Sequence, residues 1–211
     1  MIVLGIETST AVCAAGLFIE GKPEVERSLV ESHVHSEKLL TLVREVVSDA
    51  GISLNDLHAI AVSIGPGSFT GLRIGLSTAK GLCFALDKPL VVVPTFDGVA
   101  AAACETHTGI SRIVVMVDAK KDEFYVGEYA VGPSGVEGGS PVTVLPFEDA
   151  LSIVRRDHKM LVVTDRVDWV KNKVQGTPLV EDVHQWCRAS VVARLGYRKT
   201  LSKEFADVAS V

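Results

Sequence analysis

Two polar segments near the start of the chain contain the residues best suited to bind a phosphate group. The first is Glu7-Thr8-Ser9-Thr10, a hydroxyl-rich turn with one carboxylate. The second is the glycine-rich stretch 63–75, which follows an apolar run and precedes a helical pattern. A strand, a glycine-rich turn and a helix in this order direct backbone N–H groups and a helix N-terminus toward an anion. The candidate phosphate contacts are therefore Glu7, Thr8, Gly65, Gly67, Ser68 and Thr70.

Neither segment meets a strict motif definition. In the glycine-rich stretch, no lysine stands where a Walker A loop requires one. The dinucleotide-binding pattern fails because Thr70 stands where the third glycine is required. Ser68 lacks the flanking glycines of a hydrolase nucleophile. The stretch is thus either a phosphate loop or a tight strand-to-helix turn. The first segment is either an acidic hairpin like those of actin-type kinases or a turn rich in hydroxyls.

The helix predicted over residues 69–86 carries two stripes of residues. The stripe predicted to face the core consists of Phe69, Leu72, Leu76, Ala79, Cys83 and Leu86. About a quarter-turn away lies a second stripe, which consists of Gly71, Gly75, Thr78 and Leu82. A glycine inside a helix costs up to about 1 kcal/mol relative to alanine, so two glycines one turn apart indicate that another backbone comes close. That backbone belongs either to the same lobe or to a partner helix, and we expect a partner helix.

Composition narrows the class of protein. The 211 residues are 47% hydrophobic and 22% charged, which is enough apolar material for a globular core. The net charge of −5 disfavours a free-standing nucleic-acid binder, which would carry a basic patch. The four cysteines are far apart and are expected to be reduced thiols. No signal-peptide pattern is present, and no apolar run approaches the roughly 18 residues of a membrane span. We expect a cytoplasmic protein without membrane contact.

A metal site is not expected. His33 and His35 alternate, with Glu37 nearby, but a metal site needs three or four converging ligands. Nothing else in the chain supplies such ligands at motif spacing. These residues are therefore expected on the surface or as caps at the start of a helix.

Apolar runs and turn residues predict two α/β lobes of similar size. In the first lobe, strands are predicted over residues 2–6, 12–19, 23–30, 59–64 and 89–93, and helices over 39–50, 69–86 and 99–104. In the second lobe, strands are predicted over 113–117, 124–131, 142–145 and 160–164, and helices over 147–156 and 188–201. Residues 132–139 are predicted to form a flexible loop. The first lobe is expected to span residues 1–107 and the second 108–211.

Several motifs together resemble the TsaB family, also called YeaZ, which acts with its paralogue TsaD in making threonylcarbamoyladenosine on tRNA. The matching motifs are LGIETST (4–10), HSEKLL (35–40), DLHAIAV (56–62), GPGSFTGLRIG (65–75) and Asp118-Ala119 with Glu123-Phe124-Tyr125. The resemblance covers about residues 1–130, and the long glycine motif is its most specific part. It implies an α/β, actin-like or Hsp70-like ATPase-domain fold with two ribonuclease-H-like lobes and mixed sheets.

The resemblance also implies that this chain is not the catalytic member of the pair. Thr95 and Val99 stand where TsaD carries a metal-binding histidine pair, and Ala11 and Val12 stand where it carries acidic residues. We therefore expect a non-catalytic scaffold or activator subunit that dimerises with TsaD for threonylcarbamoyl transfer to adenosine 37 of tRNA. The alternative is an independent actin-like kinase or ATPase.

Partner contacts are expected on the first two helices. The predicted contact residues are His35, Leu39, Val43, Gly71, Gly75, Thr78 and Leu82. TsaE, an ATPase, would join the assembly, and the chain could form a homodimer when alone. The acidic net charge leaves tRNA to be contacted only indirectly. The chain itself is expected to require no cofactor or metal, while ATP or ADP would bind at the partner interface.

Overall fold

The computed structural model describes residues 1–31, 35–154, 159–174 and 179–211. The described chain divides into two compact units, each built on one mixed β-sheet. The first unit comprises residues 1–98 and 187–211, and the second comprises residues 99–186. No helix among the described residues is long and apolar enough to cross a membrane.

The first unit contains a five-stranded sheet. Its strands are β1 (Ile2–Glu7), β2 (Val12–Ile19), β3 (Val25–Val30), β4 (Ala59–Ser63) and β5 (Leu90–Val93). The spatial order is β3-β2-β1-β4-β5, in which β1, β2 and β3 are antiparallel neighbours. Strands β4 and β5 continue the sheet in parallel with β1. Four helices accompany these strands: α1 (His35–Asp49), α2 (Phe69–Leu86), α3 (Thr95–Thr106), which runs across the division between the units, and α6 (Ala189–Leu201).

Alternating residues of β1 pack on opposite faces of this sheet, as strand geometry requires. Leu4 and Ile6 belong to a large apolar cluster with residues of α1 and α2. Val3 belongs to a separate cluster with Val192 of α6. The backbone of α6 lies so close to the sheet that a Cβ atom on Gly5 would overlap it. Two helices therefore cover one face, and α6 covers the other.

The position of α6 corrects the predicted boundary between the lobes. The sequence pattern places residues 108–211 in the second lobe, but residues 187–211 pack with the first sheet. The reason is the close fit of a C-terminal helix onto glycines of β1 and β2, a contact between distant parts of the chain.

The second unit contains a six-stranded sheet. Its strands are β6 (Arg112–Lys120), β7 (Glu123–Gly132), β8 (Gly135–Gly139), β9 (Thr143–Pro146), β10 (Met160–Thr164) and β11 (Leu179–Asp182). The spatial order is β11-β10-β6-β7-β8, and β9 also pairs with β7. As in the first unit, an antiparallel hairpin is extended in parallel by two further strands. The helices are α4 (Phe147–Val154) and α5 (Val167–Lys173).

Two parts of the second unit differ from the prediction. The predicted flexible loop 132–139 contains β8, where Gly139 lies against the ring of Tyr129 and completes the sheet edge. Helix α5 and strand β11 were not predicted, because each is short and carries a weak apolar pattern.

Candidate functional site

The carboxylate of Glu7 points into the protein. Glu7 ends β1 and is 2% exposed. Its Oε1 accepts hydrogen bonds from the backbone N–H of Ser9 at 2.6 Å and from the Ser9 hydroxyl at 2.5 Å. Burial raises the pKa of Glu7, and the two bonds from Ser9 offset part of that rise. The predicted role of Glu7 as a phosphate or magnesium contact is therefore corrected, since this carboxyl group serves to hold the turn.

Thr8 is also directed inward and joins the turn to helix α2. Its hydroxyl donates to the carbonyl oxygen of Gly71 at 2.8 Å. A Cβ atom on Gly71 would overlap the carbonyl oxygen of Thr8, and one on Gly75 would overlap the Thr8 hydroxyl. Thr8 is completely buried by this packing. It is therefore not available as a phosphate contact, which corrects the second part of the predicted site.

The glycine-rich loop bonds to the same turn. The N–H of Ser68 donates to the carbonyl oxygen of Ser9 at 2.6 Å, and Gly67 passes so close to that oxygen that a Cβ atom would overlap it. The N–H of Gly65 donates to the Thr95 hydroxyl at 3.0 Å. The two segments predicted to surround a phosphate are thus brought together, but they bond to each other.

The N-terminus of α2 is the exposed part of the predicted site. Ser68 is the N-cap residue, and its hydroxyl accepts from the N–H of Gly71 at 3.3 Å. Both Ser68 and Thr70 are exposed, while Gly65 and Gly67 are half-buried. Of the six predicted phosphate contacts, Ser68 and Thr70 keep hydroxyl groups at the surface.

The predicted partner contacts on α1 lie inside the first unit. Leu39 and Val43 are each 1% exposed and belong to the apolar cluster beneath the helix. His35 is buried as well, and its Nε2 lies 3.0 Å from the carbonyl oxygen of Thr10 and 3.1 Å from that of Val12. The prediction that these three side chains meet a partner is therefore corrected. It failed because the helical stripe they share is the one that faces the sheet.

His33, considered above as part of a metal site with His35, lies outside the described residues. Within the described ranges, no group of three His, Cys, Asp or Glu side chains is placed to hold a metal ion.

The inward face of α2 is formed by its small residues. The buried positions are Gly71, Gly75, Ala79 and Cys83. We predicted that the two glycines face a partner helix, but they face Thr8 of the same unit. We also placed Phe69 in the core, and it is 67% exposed. The absence of side chains lets the helix backbone approach β1, so the larger residues lie along its flanks, among them the half-buried Thr78 and Leu82.

Three large apolar side chains that are exposed on α1 and α2 were not predicted to be exposed. Leu40 is 51% exposed and Phe84 is 90% exposed. Phe69 is the third of them, with the guanidinium of Arg73 over its ring at 3.9 Å. Gly81 lies on α2, one turn before Ala85. A Cβ atom on Gly81 would meet nothing within 4 Å. We call Leu40, Phe69, Gly81 and Phe84 the outer helical surface. Phe84 belongs to neither of the two predicted stripes of α2. A large apolar residue outside both stripes was the feature of the sequence that could have indicated its exposure.

In the second unit, an acidic residue near the end of β6 takes part in an ion pair. Asp118 accepts from the Nε of Arg166 at 3.0 Å and from the N–H of Lys120 at 2.7 Å. Partial burial alone would raise the pKa of Asp118, but these bonds and the adjacent positive charges outweigh burial, and the pKa is lowered. Asp118 is therefore ionised and stabilises the end of its own hairpin.

Comparison with known sequences finds proteins that are named for tRNA modification. Residues 29–155 match the family described as "TsaD: tRNA N6-adenosine threonylcarbamoyltransferase". The chain is 33% identical over 139 residues to the Escherichia coli "tRNA threonylcarbamoyladenosine biosynthesis protein TsaB", covering 66% of this chain and 59% of that protein. It is 32% identical over 178 residues to the protein of the same name from Buchnera aphidicola subsp. Schizaphis graminum, covering 82% of this chain and 81% of that protein.

Comparison with solved structures gives a result that is consistent with the sequence comparison. The structure of "YeaZ from Pseudomonas aeruginosa" is similar with a TM-score of 0.82 and 26% identity, covering 100% of this chain and 98% of that one. The activator of 2-hydroxyisocaproyl-CoA dehydratase from Clostridium difficile is similar with a TM-score of 0.56 and 8% identity, covering 98% and 99% of the two chains. At that identity the likeness concerns the fold alone, and it confirms the predicted actin-like ATPase fold.

Proposed function

Because the chain belongs to the TsaB (YeaZ) family, we propose that it acts in the biosynthesis of threonylcarbamoyladenosine on tRNA, as a non-catalytic subunit that pairs with TsaD. The names of the relatives support a role in this biosynthetic process. The match to the TsaD family description shows that residues 29–155 resemble the proposed partner in sequence.

The packing of the β1–β2 region supports a non-catalytic role. In a kinase or ATPase of this fold, an acidic residue at the end of β1 would have to reach a phosphate or its metal ion. Here the Glu7 carboxyl is bonded to Ser9 inside the unit, and Thr95 accepts a hydrogen bond from Gly65. These polar groups stabilise a strand–turn–helix arrangement.

The outer helical surface carries the proposal. Leu40, Phe69 and Phe84 are from 51% to 90% exposed, and three large apolar side chains on two neighbouring helices are costly to leave in water. Covering them with a partner would return about 25 cal/mol per Å² of apolar area. Gly81 offers a place where a partner helix could approach closely. We therefore place the TsaD contact here, in place of the inward residues predicted from the sequence.

We propose that nucleotide and tRNA bind to the assembly with TsaD and not to this chain alone. An ATP or ADP at the partner interface would meet the exposed hydroxyls of Ser68 and Thr70 at the start of α2, where a helix N-terminus favours an anion. The fully buried Thr8 would not contribute. With a net charge of −5, this chain leaves the tRNA backbone to other subunits, and TsaE would join the same assembly.

Reconstituted tRNA modification with each protein omitted in turn tests this function. We expect no product when this chain is left out, and no modification by the chain alone. Phe84→Asp should weaken association with TsaD at least about tenfold, because it places a charge in an apolar contact. Leu201→Asp is the matched control, since Leu201 is 58% exposed on α6, which covers the other face of the sheet. Full product without the chain, or equal weakening by both variants, would contradict the proposal.

A further inference from the structure

The last residue of β1, the four residues that follow it and the first residue of β2 contact the N-terminal parts of both α1 and α2. We call residues 7–12 the β1–β2 turn. Its backbone carbonyl groups accept hydrogen bonds from one side chain of α1 and from the N-cap residue of α2. These are the two helices that carry the outer helical surface. A single short segment of chain therefore bonds to the start of both helices.

The link to α1 is the imidazole ring of His35. Its Nε2 lies within hydrogen-bond distance of the carbonyl oxygens of Thr10 and Val12. Both partners can only accept, so this nitrogen must carry the hydrogen and donate to the two oxygens. His35 is the first residue of α1, so the bond places the helix at its N-terminal end.

The link to α2 consists of three contacts. Thr8 donates to the carbonyl of Gly71, Ser9 accepts from the N–H of Ser68, and Gly75 packs against the Thr8 hydroxyl. Glu7 holds Ser9 in the required conformation through two hydrogen bonds. Because Gly71 and Gly75 leave no space beside Thr8, we expect a change in the turn to shift α2.

We propose that the β1–β2 turn is a positioning element that sets the relative placement of α1 and α2, and so the shape of the outer helical surface. The inference rests on the proposed function of that surface. Thr8 and His35 are positioning residues, because each is buried and acts on the partner contact through a helix. In this proposal His35 acts on the partner only through α1, and the predicted direct contact stays corrected.

The test compares Thr8→Val with Thr8→Ser. Valine preserves the shape of threonine but cannot donate to Gly71, whereas serine keeps the hydroxyl. We measure the affinity for TsaD at a temperature where each variant is fully folded, as judged by circular dichroism. The expected result is about tenfold weaker binding for Thr8→Val and binding within about threefold of wild type for Thr8→Ser. A merely structural role would lower the melting temperature of Thr8→Val and leave the affinity of the folded protein unchanged.

A double-mutant cycle with Phe84→Ala shows whether the turn acts through the outer helical surface. If it does, the combined loss of affinity is smaller than the product of the two single losses. Wild-type affinity in folded Thr8→Val, or simple multiplication of the two effects, would overturn this inference. If Phe84→Asp weakens binding while Thr8→Val does not, the proposed function stands and this inference falls. If the wild-type chain does not bind TsaD, both fall.

Discussion

The hairpins at the centre of the two sheets use an acidic residue in opposite ways. Glu7 ends the first strand of the β1–β2 hairpin, and Asp118 lies near the end of the first strand of the β6–β7 hairpin. Burial raises the pKa of Glu7, whereas Arg166 and Lys120 outweigh burial and lower the pKa of Asp118. The first strands of two comparable hairpins thus hold one carboxyl group whose pKa is raised and one whose pKa is lowered.

The turns that follow these strands also differ, in that the first is packed against a helix and the side chains of the second are exposed. The β1–β2 turn is covered by α2, which approaches it through Gly71 and Gly75. In the β6–β7 turn, Lys120, Lys121 and Asp122 have φ angles of 72°, 54° and 60°, and all three are exposed. The left-handed backbone region is unfavourable for these residue types, aspartate excepted in part. The β1–β2 turn is packed tightly against the small residues of α2, an arrangement that we call a clamp, whereas the side chains of the β6–β7 turn are exposed.

The largest test of this comparison is Gly71→Val. A side chain at this position would overlap the carbonyl oxygen of Thr8, a backbone atom that cannot move without breaking the clamp. We expect a loss of about 3–5 kcal/mol in the free energy of unfolding, measured by urea denaturation. Gly81→Ala on the same helix is the matched control and should stabilise the protein by up to about 1 kcal/mol, because its Cβ meets nothing. Equal effects of the two variants would mean that α2 has no clamped face.

The sequence predicted the elements of this region well, but not the orientation of α2. Helix α2 and strand β2 begin and end at the predicted residues, because helical and alternating patterns are local. The core face was wrong, since Phe69 was placed inside and the glycines were placed at an interface. The deciding contact joins Thr8 to Gly71, 63 residues apart, and periodicity carries no information about such a contact. For the same reason the sequence could not predict that the two segments with the candidate phosphate residues bond to each other.

Asp118→Asn tests the ionised carboxyl group. Asparagine keeps one acceptor oxygen but loses the charge that pairs with Arg166, so we expect a loss of about 1–3 kcal/mol at neutral pH. Because the pKa of Asp118 is lowered on folding, its contribution is present above its usual value of 3.8 and is lost as the pH falls through the lower folded value. The difference between wild type and variant should therefore shrink in acid. Urea denaturation at several pH values measures it, and a constant difference would contradict the assignment.

Glu7→Gln tests the buried carboxyl group and should show the opposite sign. Glutamine keeps an oxygen that can accept both bonds from Ser9 and carries no charge to bury. Because the pKa of Glu7 is raised on folding, the wild-type protein loses stability as the pH rises from about 4.5 through the folded value. We therefore expect the free energy of unfolding of Glu7→Gln to rise relative to that of wild type over that range, by on the order of 1 kcal/mol at neutral pH. A variant that is less stable than wild type by a constant amount at every pH would show that the charge itself is needed.

The smallest expected effect belongs to the exposed turn, at Asp122→Gly. Lys121 and Asp122 are the two central residues of the hairpin loop, and both have positive φ, as in a type I′ turn. Glycine is favoured at the second central position of such a turn because it has no Cβ to clash with the backbone. Aspartate tolerates this conformation better than most residues, and glycine also gains entropy in the unfolded chain, so the net stabilisation should be about 0.5 kcal/mol or less. The backbone bond from Phe147 to the Asp122 carbonyl should survive the substitution.

Asp122→Ala is the matched control and should be destabilising, since alanine combines a Cβ atom with no local hydrogen bond. Thermal unfolding of the three proteins side by side measures the order. If Asp122→Gly is instead strongly destabilising, the Asp122 side chain stabilises this turn, and the contrast between a clamped hairpin and an open one does not hold.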